Sequence, residues 1–164
     1  MAFYTEEMTE EAAAEISRRT YPHPYEAYNF KATDDEIDQL MNGLHVAVYD
    51  EKGSLCGFVA FGWSAQVVCD ESEELYLDET FTDIALGLAP ELCGRGLGVG
   101  LVKCAVDFAK ELFPEDGVRL TVKSDNLRAV KTYQRAGFEA ATTFTGGDGE
   151  YTVMVFKGDS PAFD

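Results

Sequence analysis

The sequence has only two histidines, His23 and His45, with no cluster of metal-ligating side chains around either. A histidine-based metal centre and Ser-His-Asp machinery therefore lack the residues they need, and no metal is expected. Its four cysteines, Cys56, Cys69, Cys93 and Cys104, stand 13, 24 and 11 residues apart. That spacing fits neither paired CxxC zinc ligands nor a redox dithiol, so they are read as reduced thiols. There is no run of 18 apolar residues, the length a helical membrane span requires. The start, Met1-Ala2-Phe3-Tyr4-Thr5-Glu6-Glu7, has neither the basic residues nor the apolar run of a secretion signal, and a cytoplasmic location is expected. Positive charge is scarce too: 13 Lys and Arg stand against 30 Asp and Glu, a formal net charge of −17. Such a chain repels nucleic acid and anionic lipid, so neither is an expected partner and cations are favoured.

What remains is an ordinary globular composition, 46% hydrophobic and 26% charged over 164 residues. One domain spanning 1–164 is expected, burying roughly 70% of its unfolded surface without help from a disulfide or metal. Charge is uneven along it. Between 94 and 135 lie eight basic residues, Arg95 and Arg119 among them, and five acidic ones, a surplus of three positive charges in an acidic chain. An anionic ligand held there, or a chance fluctuation on solvated helix faces, would each account for this.

Ala12, Ala13 and Ile16 make an apolar helical face between Thr9 and Arg19, and Thr33 with Glu36 forms a capping box that opens a second helix. Prolines 22 and 24 make the intervening aromatic stretch a loop. Leu44–Tyr49 and Leu55–Phe61 read as a hairpin turning at Gly53. Asp70 to Glu79 holds six carboxylates and no base, an exposed loop or a funnel for cations. Thr82–Ala89 is a strand ended by Pro90, and Leu97, Leu101, Ala105, Phe108 and Leu112 then mark one stripe of a helix. A strand over Val118–Lys123, a helix over Asn126–Ala136 capped by Gly137, and a hairpin of Phe138–Phe144 with Tyr151–Phe156 complete an α/β chain on a mixed sheet.

The segment Cys93-Gly94-Arg95-Gly96-Leu97-Gly98-Val99-Gly100 lies where a strand hands over to a helix. About four amide N–H groups are unpaired at a helix N-terminus, and glycines let a phosphate reach them without a Cβ in the way, so the turn reads as a phosphate cradle. No Lys-Ser or Lys-Thr follows these glycines, which excludes a Walker loop. A dinucleotide GxGxxG would need glycine where Val99 or Leu101 stands, and the next strand ends in Lys123 instead of an acid.

The run Pro90-x-x-Cys93-Gly94-Arg95-Gly96-Leu97-Gly98-x-x-Leu101, followed by Leu120-Thr121-Val122-Lys123-x-x-Asn126-x-x-Ala129-x-x-x-Tyr133-x-x-x-Gly137-Phe138, resembles the GNAT superfamily of acyl-CoA-dependent N-acyltransferases. The resemblance implies a mixed, mostly antiparallel sheet of six to seven strands with a central splayed parallel pair and about four flanking helices. It implies acetyl-CoA as co-substrate, with its pyrophosphate on Gly94, Arg95, Gly96, Leu97, Gly98 and Val99. The pantetheine arm would lie along Leu86, Gly87 and Leu88 in the splay, and Asn126 would bind it. Tyr133 would be the general acid that protonates the leaving thiolate, for which a phenol with an ordinary pKa near 10 is well matched. Asn126 and Tyr133 are seven residues apart and would share a helix face.

Two positions depart from the family pattern. Cys93 stands where Gln or Arg is usual, and Thr121 stands where one branch carries a Glu base. Asp83, opening the cofactor strand, is the remaining candidate base, acting through water. The expected activity is acetyl transfer to a primary amine by direct attack in a ternary complex. The acceptor would be a cationic small molecule or a peptide amine, and sheet edges could pair two copies into a homodimer. A catalytically silent acyl-CoA-binding regulator and an acidic protein-interaction module are the alternatives.

Overall fold

A computed structural model describes residues 2–25, 28–31 and 33–158. In chain order its elements begin with β1 (Phe3–Glu7), α1 (Glu10–Ser17), α2 (Asp34–Leu40), β2 (His45–Asp50), β3 (Leu55–Phe61), α3 (Glu73–Tyr76) and β4 (Phe81–Leu88). They continue with α4 (Gly98–Leu112), β5 (Gly117–Lys123), α5 (Leu127–Arg135), β6 (Phe138–Gly146) and β7 (Gly149–Phe156). The strands form a seven-stranded mixed sheet in the order β1-β2-β3-β4-β5-β7-β6, in which β4 and β5 run parallel. The expected strand count and central parallel pair are both present. The described residues hold five α-helices, and α3 is a short one inside the acidic stretch that the sequence suggested was loop. Contacts group the chain into two units, Met1–Ala60 with Leu86–Cys104 and Phe61–Ala85 with Ala105–Asp164.

In the first unit the caps set the helices. Thr9 Oγ1 accepts from the Ala12 amide at 3.1 Å and Thr33 Oγ1 from the Glu36 amide at 3.3 Å, each satisfying a donor the helix leaves unpaired. The apolar face of α1 then buries Ala12, Ala13 and Ile16 against Met8, Leu40 and Ala47, with Phe30, Ile37 and Phe58 packed around them. The β2–β3 hairpin turns as expected at Gly53, whose φ of 81° suits glycine, while Asp50 Oδ1 accepts from the Lys52 and Ser54 amides. Strand β1 was not legible in the sequence. It is a five-residue edge strand with two acidic residues, Glu6 and Glu7, and its pairing with β2, from Phe3↔Asp50 to Glu7↔Val46, gives it its structure.

His45, on β2, packs beside Phe58, and Nδ1 lies 3.0 Å from Asn42 Oδ1. Burial lowers its pKa from the ordinary 6.5. The unfolded chain therefore binds this proton at a higher pH than the folded one, and the His45 contribution to stability is complete above about pH 6.5 and lost as pH falls below it. Melting temperatures of the wild type and His45→Gln at pH 7.5 and 5.0 should show the wild type losing more on acidification. Parallel losses would contradict this account.

In the second unit β7 lies between β5 and β6, paired antiparallel with both. The turn of the β6–β7 hairpin is Gly147-Asp148, enclosed by the pair Gly146↔Gly149. Phe144 and Tyr151 stack at 5.4 Å on one face of this sheet, where Val67, Cys69 and Leu75 cover them together with Val153. Gly137 takes a φ of 106° just past α5, the left-handed position at which a helix ends. Along α4, Leu101 and Ala105 are fully buried as the stripe predicts, but Leu112 is 42% exposed and the buried face continues through Val106 and Ala109 instead.

Candidate functional site

The glycine turn belongs to the first unit. After a short 3₁₀ helix over Pro90–Leu92, Gly94 and Gly96 each take a φ of 75°. A Cβ built on either would have no atom within 4 Å, so these glycines are present for their backbone conformation and the space above them is open. Helix α4 starts at Gly98, and its first intrahelical bond is donated by the Leu101 amide to Leu97 O at 3.3 Å. The amides of Gly98, Val99 and Gly100 thus precede the ladder, and no acidic side chain lies in the first turn to compete for them. Arg95 is exposed in the turn and Cys93 is half-buried before it.

The end of β4 adjoins this turn in sequence. Leu86, Gly87 and Leu88 are half-buried. A Cβ at Gly87 would collide with the Phe58 ring, and one at Gly57 with the Gly87 carbonyl. The missing side chain at Gly87 therefore makes room for the Phe58 ring. Leu88 O accepts from the Tyr21 hydroxyl at 2.7 Å, so the aromatic loop between α1 and α2 is tied to this strand end.

In the second unit, Asp83, the candidate base acting through water, lies in a buried ion pair. It is 3% exposed and paired with Arg119, which is 2% exposed. Arg119 Nε donates to Asp83 Oδ1 at 2.6 Å and a terminal nitrogen to Oδ2 at 2.9 Å, and Gln66 Nε2 adds a third bond to Oδ2 at 3.0 Å. The guanidinium lies 4.9 Å from the Phe81 ring centre and 5.3 Å from that of Tyr76, and its other terminal nitrogen donates to Leu75 O at 3.2 Å. Burial alone would lower the Arg119 pKa, but the hydrogen bond and charge of Asp83 outweigh it and leave it raised. With both oxygens engaged in buried surroundings, Asp83 is a structural partner poorly placed for proton transfer through water. The pairing also removes Arg119 from the surface charge that an anion would meet between 94 and 135.

Arg119 and Thr121 alternate onto one face of β5, and Tyr76 lies against both. The Tyr76 hydroxyl is 2.6 Å from Thr121 Oγ1 and accepts from the Val67 amide at 3.2 Å. Burial, foremost, raises the Tyr76 pKa, so the phenol keeps its proton. The acidic stretch is thereby pinned to the sheet: Ser72 is fully buried, its hydroxyl donating to Val67 O at 2.7 Å, while the carboxylates of Glu73 and Glu74 stay exposed. Sequence reasoning missed this network because its central pairs, Asp83 with Arg119 and Tyr76 with Thr121, are 36 and 45 residues apart.

Asn126 is the N-cap of α5, its Oδ1 accepting from the Ala129 amide at 3.2 Å. That bond, more than a shared helix face with Tyr133, explains asparagine at this position. The Tyr133 ring meets Phe138 edge-on at 6.1 Å, which fixes where its phenol points from α5. Among the described residues no group of three His, Cys, Asp or Glu side chains could hold a metal, and no helix is long and apolar enough to cross a membrane.

Comparison with known proteins agrees with the fold. The chain is 34% identical over 116 residues to the mycothiol acetyltransferase of Mycolicibacterium smegmatis, a match covering 65% of this chain and 35% of that protein. It is 30% identical over 95 residues to the spermine/spermidine N(1)-acetyltransferase of Bacillus subtilis, covering 57% of this chain and 58% of that one. The chain thus spans about a third of the length of the mycothiol acetyltransferases it matches. The aminoglycoside acetyltransferase AAC(6')-Ib, solved with acetyl-CoA and an aminoglycoside, shares the fold with a TM-score of 0.75 at 24% identity, covering 99% of this chain and 96% of that one. A sequence model described as "Acetyltransferase (GNAT) family" matches residues 10–138, and the chain belongs to that family.

Proposed function

We propose that this protein is an N-acetyltransferase that moves the acetyl group of acetyl-CoA to a primary amine by direct attack in a ternary complex. The observation that carries the reading is the glycine turn, with positive φ at Gly94 and Gly96, open space above both and a carboxylate-free first turn of α4 behind them. Amides so arranged bind a diphosphate through hydrogen bonds and the helix dipole, while Arg95 adds a charge. Leu86, Gly87 and Leu88 offer backbone groups to the arm of the ligand. Tyr133 delivers a proton to the departing thiolate. With Asp83 committed to Arg119, no side-chain base is assigned, and the acceptor enters as the free amine. The acceptor is a cationic small molecule, the class named for the spermine and aminoglycoside acetyltransferases this chain resembles, which suits a net charge of −17. No disulfide joins the four cysteines among the described residues, which supports a reducing, cytoplasmic setting.

Calorimetric titration with acetyl-CoA tests the reading directly. One equivalent should bind saturably. A Gly96→Val variant, forced to place a β-branched residue at a left-handed position, should bind at least about tenfold more weakly. Absence of binding at millimolar ligand would end the enzymatic reading.

A further inference from the structure

We infer that Tyr21 is a positioning residue for acetyl-CoA: it clamps the Leu88–Ala89 peptide, and so sets the spacing between the strand edge that takes the pantetheine arm and the glycine turn that takes the diphosphate. The inference rests on the acetyl-transfer reading above and adds a residue to that site. Tyr21, Cys56, Leu88, Ala89 and the glycine turn all belong to the first unit. The Tyr21 hydroxyl donates to Leu88 O at 2.7 Å, since a carbonyl can only accept, and the Ala89 amide donates to Cys56 O at 2.7 Å. Leu88 C=O and Ala89 N–H are the two polar ends of one planar peptide group, so that group is held on both sides at once. Ala89 is fully buried, which sets the clamp in packed surroundings. Cys93 Sγ lies 3.8 Å from Leu88 O and 3.6 Å from Ala89 O, turned back onto the same junction, but a thiol is a weak donor and the phenol carries the hold.

The alternation of strand groups places the clamp. Gly87 O faces β3, where Gly57 lies against it, so within this stretch the backbone groups of Leu86 and Leu88 face the opposite edge. Among the described residues the β4–β5 ladder is registered as far as Ile84↔Leu120, before those groups are reached. On that edge Tyr21 takes the Leu88 carbonyl, which leaves the N–H and C=O of Leu86 and the N–H of Leu88 for the amides of the arm. Directly after Ala89 the chain enters the 3₁₀ helix over Pro90–Leu92 and then the glycine turn. The clamped peptide is thus the joint between the two halves of the site. A ligand that reaches both halves makes its second contact intramolecularly, and keeps that advantage only while the halves stand at the spacing its own chain spans. Loosening the joint therefore weakens the whole ligand and spares its separate pieces.

The test compares wild type with Tyr21→Phe, which removes one oxygen and keeps the ring. Calorimetry measures binding of acetyl-CoA, of ADP as a probe of the turn and of acetyl-pantetheine as a probe of the strand edge. Tyr21→Phe should weaken acetyl-CoA about tenfold, while each fragment changes less than about twofold. Acetyl-CoA affinity within about twofold of wild type overturns the inference. So does a loss for ADP or acetyl-pantetheine as large as the loss for acetyl-CoA, which would make Tyr21 a general support of one half. Amide hydrogen exchange reads the clamp without any ligand: the Ala89 N–H should exchange at least about tenfold faster in Tyr21→Phe, and an unchanged rate overturns the inference. A wild-type protein that binds no acetyl-CoA instead removes the acetyl-transfer reading, and this inference with it.

Discussion

Asp83→Ala is expected to lower the unfolding free energy by about 3 to 5 kcal/mol, a large part of what a domain of this size has. The size follows from what the substitution leaves behind. Arg119 is 2% exposed, so its guanidinium cannot turn to solvent, and the charge that balanced it would be gone. The stacking of Phe81 and Tyr76 on the guanidinium offsets only a small part of that cost. Replacing both partners together, as Asp83→Leu with Arg119→Met, should bring stability back toward wild type, because two apolar groups leave no unpaired charge. Denaturant titration separates the outcomes. A single Asp83→Ala variant as stable as the parent would show that the pair is not the anchor described here.

Tyr133→Phe is expected to reduce kcat by about 10² to 10⁴-fold while leaving acetyl-CoA affinity within about twofold. The hydroxyl is the only atom removed, and the edge-on contact with Phe138 that orients the ring survives. Loss of turnover with binding kept identifies a group that acts in the chemical step. Turnover unchanged would transfer the acid role to another group. A wild-type protein that binds acetyl-CoA yet turns over no amine across a panel of polyamines, amino sugars and peptides would favour a silent acyl-CoA-binding regulator.

The parts legible in the sequence were those whose cause is local. The glycine turn announces itself because a left-handed backbone at Gly94 and Gly96 selects one residue type, and the cap at Thr33 does so because it bonds an amide three residues on. The β2–β3 hairpin was readable from Gly53 and its flanking apolar runs. What was hidden depends on register between distant strands. Asp83 and Arg119 face each other because β4 and β5 pair at that position, and neither residue's neighbours in sequence announce it. The same register makes the candidate base Asp83 half of a buried ion pair. Strand β1 escaped notice since two of its five residues are acidic and only pairing with β2 makes it a strand. Thr121 was visible only as a departure from a family pattern, and its partner Tyr76 comes from a stretch whose carboxylates hide the tyrosine's packing role.

The placement of β7 between β5 and β6 has a consequence for biosynthesis. Residues emerge from the ribosome in order, so β5 and β6 are both exposed to the cell before the strand that joins them exists. Until residues 149–156 arrive, β5 presents a free edge and the inner faces of Phe138 and Phe144 have no sheet to pack on, which makes a stalled nascent chain a target for chaperones and a seed for aggregation.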